Sequence, residues 1–428
     1  MNRDVKIAFI SLLACLVLIA AAGAVSATDE AVTQEDNATD DLPVDPIEDP
    51  HPGYEAQNVD DDTEEMIELG KMLYFDPRIS ETGTISCNTC HNVMEGGDDS
   101  RQTAMGVHGL TGPVASPTVW NSGFHHTQFW DGRADTLAEQ AEGPIVADVE
   151  MGMPDHEAAL DRVRAVDGYT DRFEDVFGDE EVNLERVTEA IAAYERTLVT
   201  DNSPFDQYAR GDADAMTEQQ IDGMETFQEV GCQSCHSGPM FSGQWDDPES
   251  GNFHGDRNPT YEDNELCEEY IEDWDLQEND GRMGVTGDEA DQYVYKTPTL
   301  RNVEHTAPYL HTGQAETLEE TIRMMGACQL DTELEDEQVE DIHAFLTALT
   351  GEYPEQTMPQ LPNPSGESMI PMDAMDIDLE DAIGEEVDED ENGEDDGIGM
   401  MAVLAGILAL ALVAALATIV YMRQQQTA

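Results

Sequence analysis

A mainly α-helical chain of two tandem domains with a C-terminal transmembrane helix is the fold class this sequence predicts. Three observations predict it. Apolar residues recur at helical spacing in several segments, and no regular strand-like alternation competes with them. The pentapeptide Cys-x-x-Cys-His occurs twice, as Cys87-Asn88-Thr89-Cys90-His91 and as Cys232-Gln233-Ser234-Cys235-His236. An apolar run over 398–422 is long enough to cross a bilayer as a helix.

The elements follow in order. Residues 1–27 read as a signal peptide: Arg3 and Lys6 give a basic start, an apolar run covers 5–25, and Val25-Ser26-Ala27 offers a small-residue cleavage site. The run is also long enough to serve as an uncleaved anchor. Residues 28–53 form an acidic, flexible lead-in. The first domain spans 54–212, opening with a helix whose apolar face is Met66, Leu69, Met72 and Leu73. A glycine-rich loop region over 76–132 holds the first pentapeptide. Leu184, Val187, Ile191, Tyr194 and Leu198 then mark an amphipathic helix, and 201–214 reads as a linker.

The second domain spans 213–355. Its first helix begins with a capping box at Thr217 and Gln220, presents Ile221, Met224, Phe227 and Val230, and runs into Cys232. An acidic stretch over 246–291 reads as a surface insertion, and Val339, Ile342, Phe345, Leu346 and Leu349 form the closing helix. Residues 356–397 are an acidic linker. Arg423 follows the apolar run while acids precede it, so the positive-inside rule places the bulk of the chain outside the cell membrane, C-terminally anchored. Cys267 and Cys328 are either a disulfide or two isolated thiols.

The chain holds 94 acidic and 18 basic residues, a formal net charge of −76, with lysine only at positions 6, 71 and 296. Self-repulsion at this density opposes compaction in dilute buffer. Molar salt shortens the Debye length to about 3 Å and screens it. The composition resembles that of secreted haloarchaeal proteins. Nucleic acid is excluded as a partner, since no basic patch exists to meet phosphate.

Cys-x-x-Cys-His is the attachment signature of a c-type haem: two thiols add to the porphyrin and the histidine ligates iron. A chain of this composition holds only about 0.003 such motifs by chance, so two argue for two haems rather than for a redox dithiol or half a zinc site. A helix running into the motif is how a cytochrome c domain opens. The two domains are therefore expected to be cytochrome c-like, with Cys87, Cys90, Cys232 and Cys235 as attachment points and His91 and His236 as iron ligands.

Over residues 69–351 the chain resembles the bacterial di-haem cytochrome c peroxidases. The resemblance is carried by Leu69-Gly70-Lys71-Met72-Leu73-Tyr74-Phe75-Asp76, Gln128-Phe129-Trp130-Asp131-Gly132-Arg133-Ala134, Tyr194-Glu195-Arg196-Thr197-Leu198-Val199 and Ser203-Pro204-Phe205-Asp206. Lys296-Thr297-Pro298-Thr299-Leu300-Arg301-Asn302 and Ala307-Pro308-Tyr309-Leu310-His311 complete it.

The resemblance implies reduction of hydrogen peroxide to water at the His91 haem. It makes His108, in a glycine-flanked loop, a second ligand of that iron that departs on activation, with His125 and His126 as rivals. It makes Glu150 the acid–base group, Gln140 a distal amide donor, and Trp130 the aromatic between the haems. Met325 becomes the distal ligand of the His236 haem, with Met324 as local rival; thioether ligation raises reduction potential and suits electron entry. The expected donor is a small copper protein or a monohaem cytochrome, and the family allows a homodimer. Thr306 and Pro308 match contributors to one calcium site, although Ala115 stands where the family has asparagine. Two other functions compete: a di-haem electron carrier, which leaves Glu150 and Gln140 without a purpose, and an oxidase of a protein or organic substrate, as in a tryptophan-oxidising relative that carries tyrosine in place of Met325.

Overall fold

A computed structural model of the chain describes residues 62–243 and 265–362. The signal segment 1–27, the lead-in 28–53 and the apolar run 398–422 lie outside the described residues. Among the described residues no helix is long and apolar enough to cross a membrane.

The described chain is helical. Its α-helices are α1 (Glu64–Phe75), α2 (Cys87–Cys90), α3 (Leu137–Val146), α4 (His156–Arg164), α5 (Asp167–Phe177), α6 (Leu184–Glu195), α7 (Pro204–Ala209), α8 (Glu218–Val230), α9 (Glu268–Asp273), α10 (Met283–Thr286), α11 (Leu318–Leu330) and α12 (Asp336–Thr347). Extended pairing among these residues is limited to isolated bridges.

Two helix crossings organise the fold. α1 packs on α6, and α8 packs on α12. Each crossing is closed by a glycine. A Cβ on Gly70 would stand 1.7 Å from the Ala190 carbonyl oxygen, and one on Gly223 would stand 1.9 Å from that of Asp341. Any side chain there would force the helices apart.

Around the first crossing Leu69, Tyr74, Trp120, Phe173 and Tyr194 form one apolar cluster. Around the second, Phe205, Phe227, Phe241 and Phe345 form another, with ring centroids 5.3–6.3 Å apart in tilted, edge-on contacts. The periodic faces expected for α6, α8 and α12 are those buried: Val187, Ile191 and Tyr194; Met224 and Phe227; and Val339, Ile342, Phe345 and Leu346.

Two stretches differ from the sequence expectation. The 201–214 linker contains α7, whose Phe205 is fully buried in the second cluster. The apolar signal there is only Phe205 and Tyr208, too short to show a period. The start of the 356–397 linker returns to the first half of the molecule. The Tyr194 hydroxyl donates to Gln356 Oε1 at 3.1 Å, and Arg78 Nη1 donates to the Pro362 carbonyl at 2.9 Å.

Several stretches that carry the resemblance act as fasteners. Arg301 meets both carboxylate oxygens of Asp206 at 2.8 and 2.9 Å, with both side chains fully buried. Asn121 and Asn302 both donate to the Thr200 hydroxyl, at 2.9 and 2.8 Å.

One loop is built twice. Gln128 bridges to Ala134 with Phe129 and Gly132 at φ +69° and +66°; Tyr309 bridges to Ala315 with Leu310 and Gly313 at +71° and +60°. Ahead of each loop stands an asparagine at φ +61°, Asn121 and Asn302. All five pairs share one offset along the chain.

The insertion is tied down by a Cys267–Cys328 disulfide, which resolves the two alternatives open in the sequence. The bridge packs with Leu276 and Met324, and Met325 lies against the same cluster.

Candidate functional site

The first motif sits on α2, a single turn capped by Ser86 and Thr89. The Tyr74 hydroxyl, from α1, donates to the His91 carbonyl at 2.7 Å and fixes the turn to the core. His91 Nδ1 lies 2.9 Å from the Pro117 carbonyl and donates to it. That bond selects the tautomer in which Nε2 carries the lone pair a metal needs. The second motif follows α8, which ends at Gly231 with φ +103°. His236 Nδ1 donates in the same way to the Phe241 carbonyl at 2.8 Å.

Burial raises the thiols: Cys87 strongly, Cys90 and Cys232 up to about 12. The neutral sulfur so favoured is what a thioether supplies. Both motifs therefore fit covalently attached haem.

A cavity of about 290 Å³ opens on the second motif. Cys232, Cys235 and His236 line it, with Met325 and Met324 of α11. The structure thus brings Met325 to the site expected of it and leaves Met324 beside it. Thr306, Pro308, Trp130 and His125 line the same cavity from loops of both halves.

Trp130 is held twice. Its indole N–H donates to the Ala115 carbonyl at 2.9 Å, and its own carbonyl accepts from the Lys296 N–H at 2.7 Å. His311 meets Trp130 edge-on and stacks on Tyr295 at 3.8 Å. Burial lowers its imidazole to about 4.

On the first motif's side, Glu150 follows α3 in a turn. The Met151 N–H donates to the Pro144 carbonyl at 3.1 Å, which ties that turn to the helix carrying Gln140. Burial raises the Glu150 carboxyl, and Arg133 opposes the rise. Its charge adds to the rise of both the Cys87 and Cys90 thiols, which lie within electrostatic range of that carboxyl.

The Val107 N–H donates to the Glu150 carbonyl at 2.8 Å, which docks the His108 loop onto the same turn. His108 itself is exposed at φ +58°, its Nε2 2.9 Å from Glu81 Oε2. In this state it is a surface ion-pair partner rather than a buried ligand.

His125, a rival ligand by sequence, is instead buried with Nδ1 2.9 Å from Lys296 Nζ. Sequence reasoning missed Lys296 as a site residue. Its signals were its place at the head of a stretch that carries the resemblance and its being one of three lysines. Glu195 was missed too: it is buried, its Oε2 has no partner among the described residues, and burial raises it to about 8. No group of three or more His, Cys, Asp or Glu side chains able to hold a metal ion occurs among the described residues.

Residues 64–214 match the family model described as di-haem cytochrome c peroxidase. The chain is 44% identical over 298 residues to the cytochrome c551 peroxidase of Nitrosomonas europaea, covering 70% of this chain and 84% of that protein. It is 40% identical to the cytochrome c551 peroxidase of Pseudomonas aeruginosa, covering 70% and 83%. The methylamine utilization protein MauG of Methylorubrum extorquens is 35% identical, covering 70% and 82%. Among solved structures, a MauG-like protein associated with microbial copper homeostasis superposes with a TM-score of 0.58 at 26% identity, over 73% of this chain and 94% of that one.

Proposed function

The chain belongs to the di-haem cytochrome c peroxidase family, with two covalently bound c-type haems, and we propose that it reduces hydrogen peroxide to water at the His91 haem. Electrons enter at the His236 haem from a small extracytoplasmic copper protein or monohaem cytochrome. The observation that carries this reading is the turn that holds Glu150, tied to the helix of Gln140 by the Met151 N–H on the Pro144 carbonyl and to the His108 loop by the Val107 N–H on the Glu150 carbonyl.

The reaction consumes H₂O₂, two electrons and two protons and yields two waters. A haem held by Cys87, Cys90 and His91 would supply electrons to the O–O bond. Ionised Glu150 accepts the proton from the oxygen nearer the metal and returns it to the departing oxygen. Gln140 donates a hydrogen bond to the charge that grows there. His108 withdraws to Glu81 so that peroxide has a face to approach. Met325, which lines the cavity at the second motif, would hold the second haem together with His236, and Trp130 meets His311 between the halves. The repeated loop supports reading the halves as tandem cytochrome c-like domains.

The calcium reading rests on Thr306 and Pro308. Calcium takes six to eight oxygens, and the Ala115 carbonyl is engaged by Trp130. The 398–422 run serves as the anchor that keeps the enzyme on the extracytoplasmic face.

Replacing Glu150 with Gln tests the assignment. Steady-state peroxide consumption should vanish while both haems remain attached. Retained turnover would remove Glu150 from the mechanism. Loss of turnover accompanied by loss of a haem would show that the residue holds the fold instead.

A further inference from the structure

The cavity at the second motif has an unusual wall. The chain contains 94 acidic residues, yet no aspartate or glutamate is among the described residues lining this cavity. Of lysine and arginine, only Lys296 is among them. Lys296 is 7% exposed. Among the described residues no carboxylate lies within ion-pair distance of it; its ammonium meets His125 Nδ1 at 2.9 Å. A buried ammonium needs an anion, and a neutral imidazole does not supply one. Burial already depresses both groups, Lys296 to about 8 and His125 well below its ordinary value. The wall is otherwise apolar or neutral, with Phe227, Leu318, Ile322 and Leu346 toward the helical core.

We propose that Lys296, held by His125, binds a carboxylate of the haem carried by Cys232 and Cys235 and raises that haem's affinity for an electron. The proposal rests on the haem reading of the second motif. It assigns Lys296 as a positioning residue: it fixes the cofactor's anionic edge and places a positive charge beside the group that receives the electron. A cation there stabilises the reduced state, the more so away from water.

The test uses the full-length protein with both haems attached and two readouts: the midpoint potential of each haem by spectroelectrochemistry, and the carboxylate bending band in the resonance Raman spectrum. In Lys296→Met the one-electron reduction constant of the C-terminal haem should fall about tenfold, or ~59 mV, and its bending band should shift. The N-terminal haem should keep its potential. Lys296→Arg should restore most of the potential.

An unchanged potential and band in Lys296→Met overturns the proposal. So does a shifted potential with an unmoved band, and so does a potential that follows chloride concentration, which would make a solvent anion the partner. If Lys296→Met fails to incorporate haem, Lys296→Arg and His125→Asn decide, and a band unmoved in both overturns the contact. A wild-type protein holding a single haem would refute the motif reading and this proposal together.

Discussion

Trp130 and His311 occupy the same step of two copies of one loop and meet edge to face, their ring centroids 6.3 Å apart. The contact joins aromatic surface of the two halves, as Trp120 and Tyr353 also do at 4.8 Å. Each copy holds its tip through a bridge and two left-handed residues, so both rings are presented by stiff backbone.

Trp130→Phe keeps the packing and removes the indole donor to Ala115. The loss should cost about 1 kcal/mol of stability, while electron passage from the second haem to the first slows by more than that cost explains. Stopped-flow reduction followed at both haems, beside a thermal melt, separates the effects. An unchanged transfer rate would reduce Trp130 to a packing residue.

Glu195 makes stability depend on pH. Its folded carboxyl titrates at about 8, raised chiefly by burial, against an ordinary value of 4.5. The folded chain keeps a proton that the unfolded chain releases. The stability this gives is complete below about 4.5 and is lost as pH rises through about 8. Glu195→Gln should therefore gain on the wild type in Tm at pH 8 and not at pH 4. Equal gains at both values would point to packing rather than to ionisation.

Arg301→Met leaves Asp206 buried without its cation. Breaking such a pair costs about 3–5 kcal/mol, and a buried pair is little screened by salt. Urea unfolding in low and molar salt should show the same loss. A loss that shrinks in salt would mean that water reaches the pair.

The Cys267–Cys328 bridge closes a loop with a sequence separation of 61. Loop entropy predicts about 4 kcal/mol for its removal. Comparing melts of the oxidised wild type and a Cys267→Ser, Cys328→Ser double variant reads the bridge without reducing either haem. No change in Tm would mean that contacts of Leu276 and Met324 hold the insertion unaided.

The sequence revealed what local chemistry encodes. The two motifs, the capping box at Thr217 and the spacing of Val339, Ile342 and Phe345 are each read within one turn or two, and both helices stand where periodicity put them. Family resemblance supplied Glu150. What stayed hidden depends on residues far apart in the chain. Asp206 needs Arg301, His125 needs Lys296, and the cysteine pairing needs a distance that no spacing contains. His108 was expected beside a metal and is found on Glu81, because a glycine-flanked loop has more than one resting place and sequence does not choose among them.

The neutral wall around the second motif divides the molecule electrically. Among the described residues most acidic side chains are exposed or half-buried and answer to the salinity of the medium. A rise in salt alters how the protein repels itself and how it meets an acidic partner. The described lining of the second motif's cavity holds no carboxylate and a single buried ammonium, that of Lys296. Mutations that add or remove surface acids can therefore retune solubility and docking without resetting the redox centre.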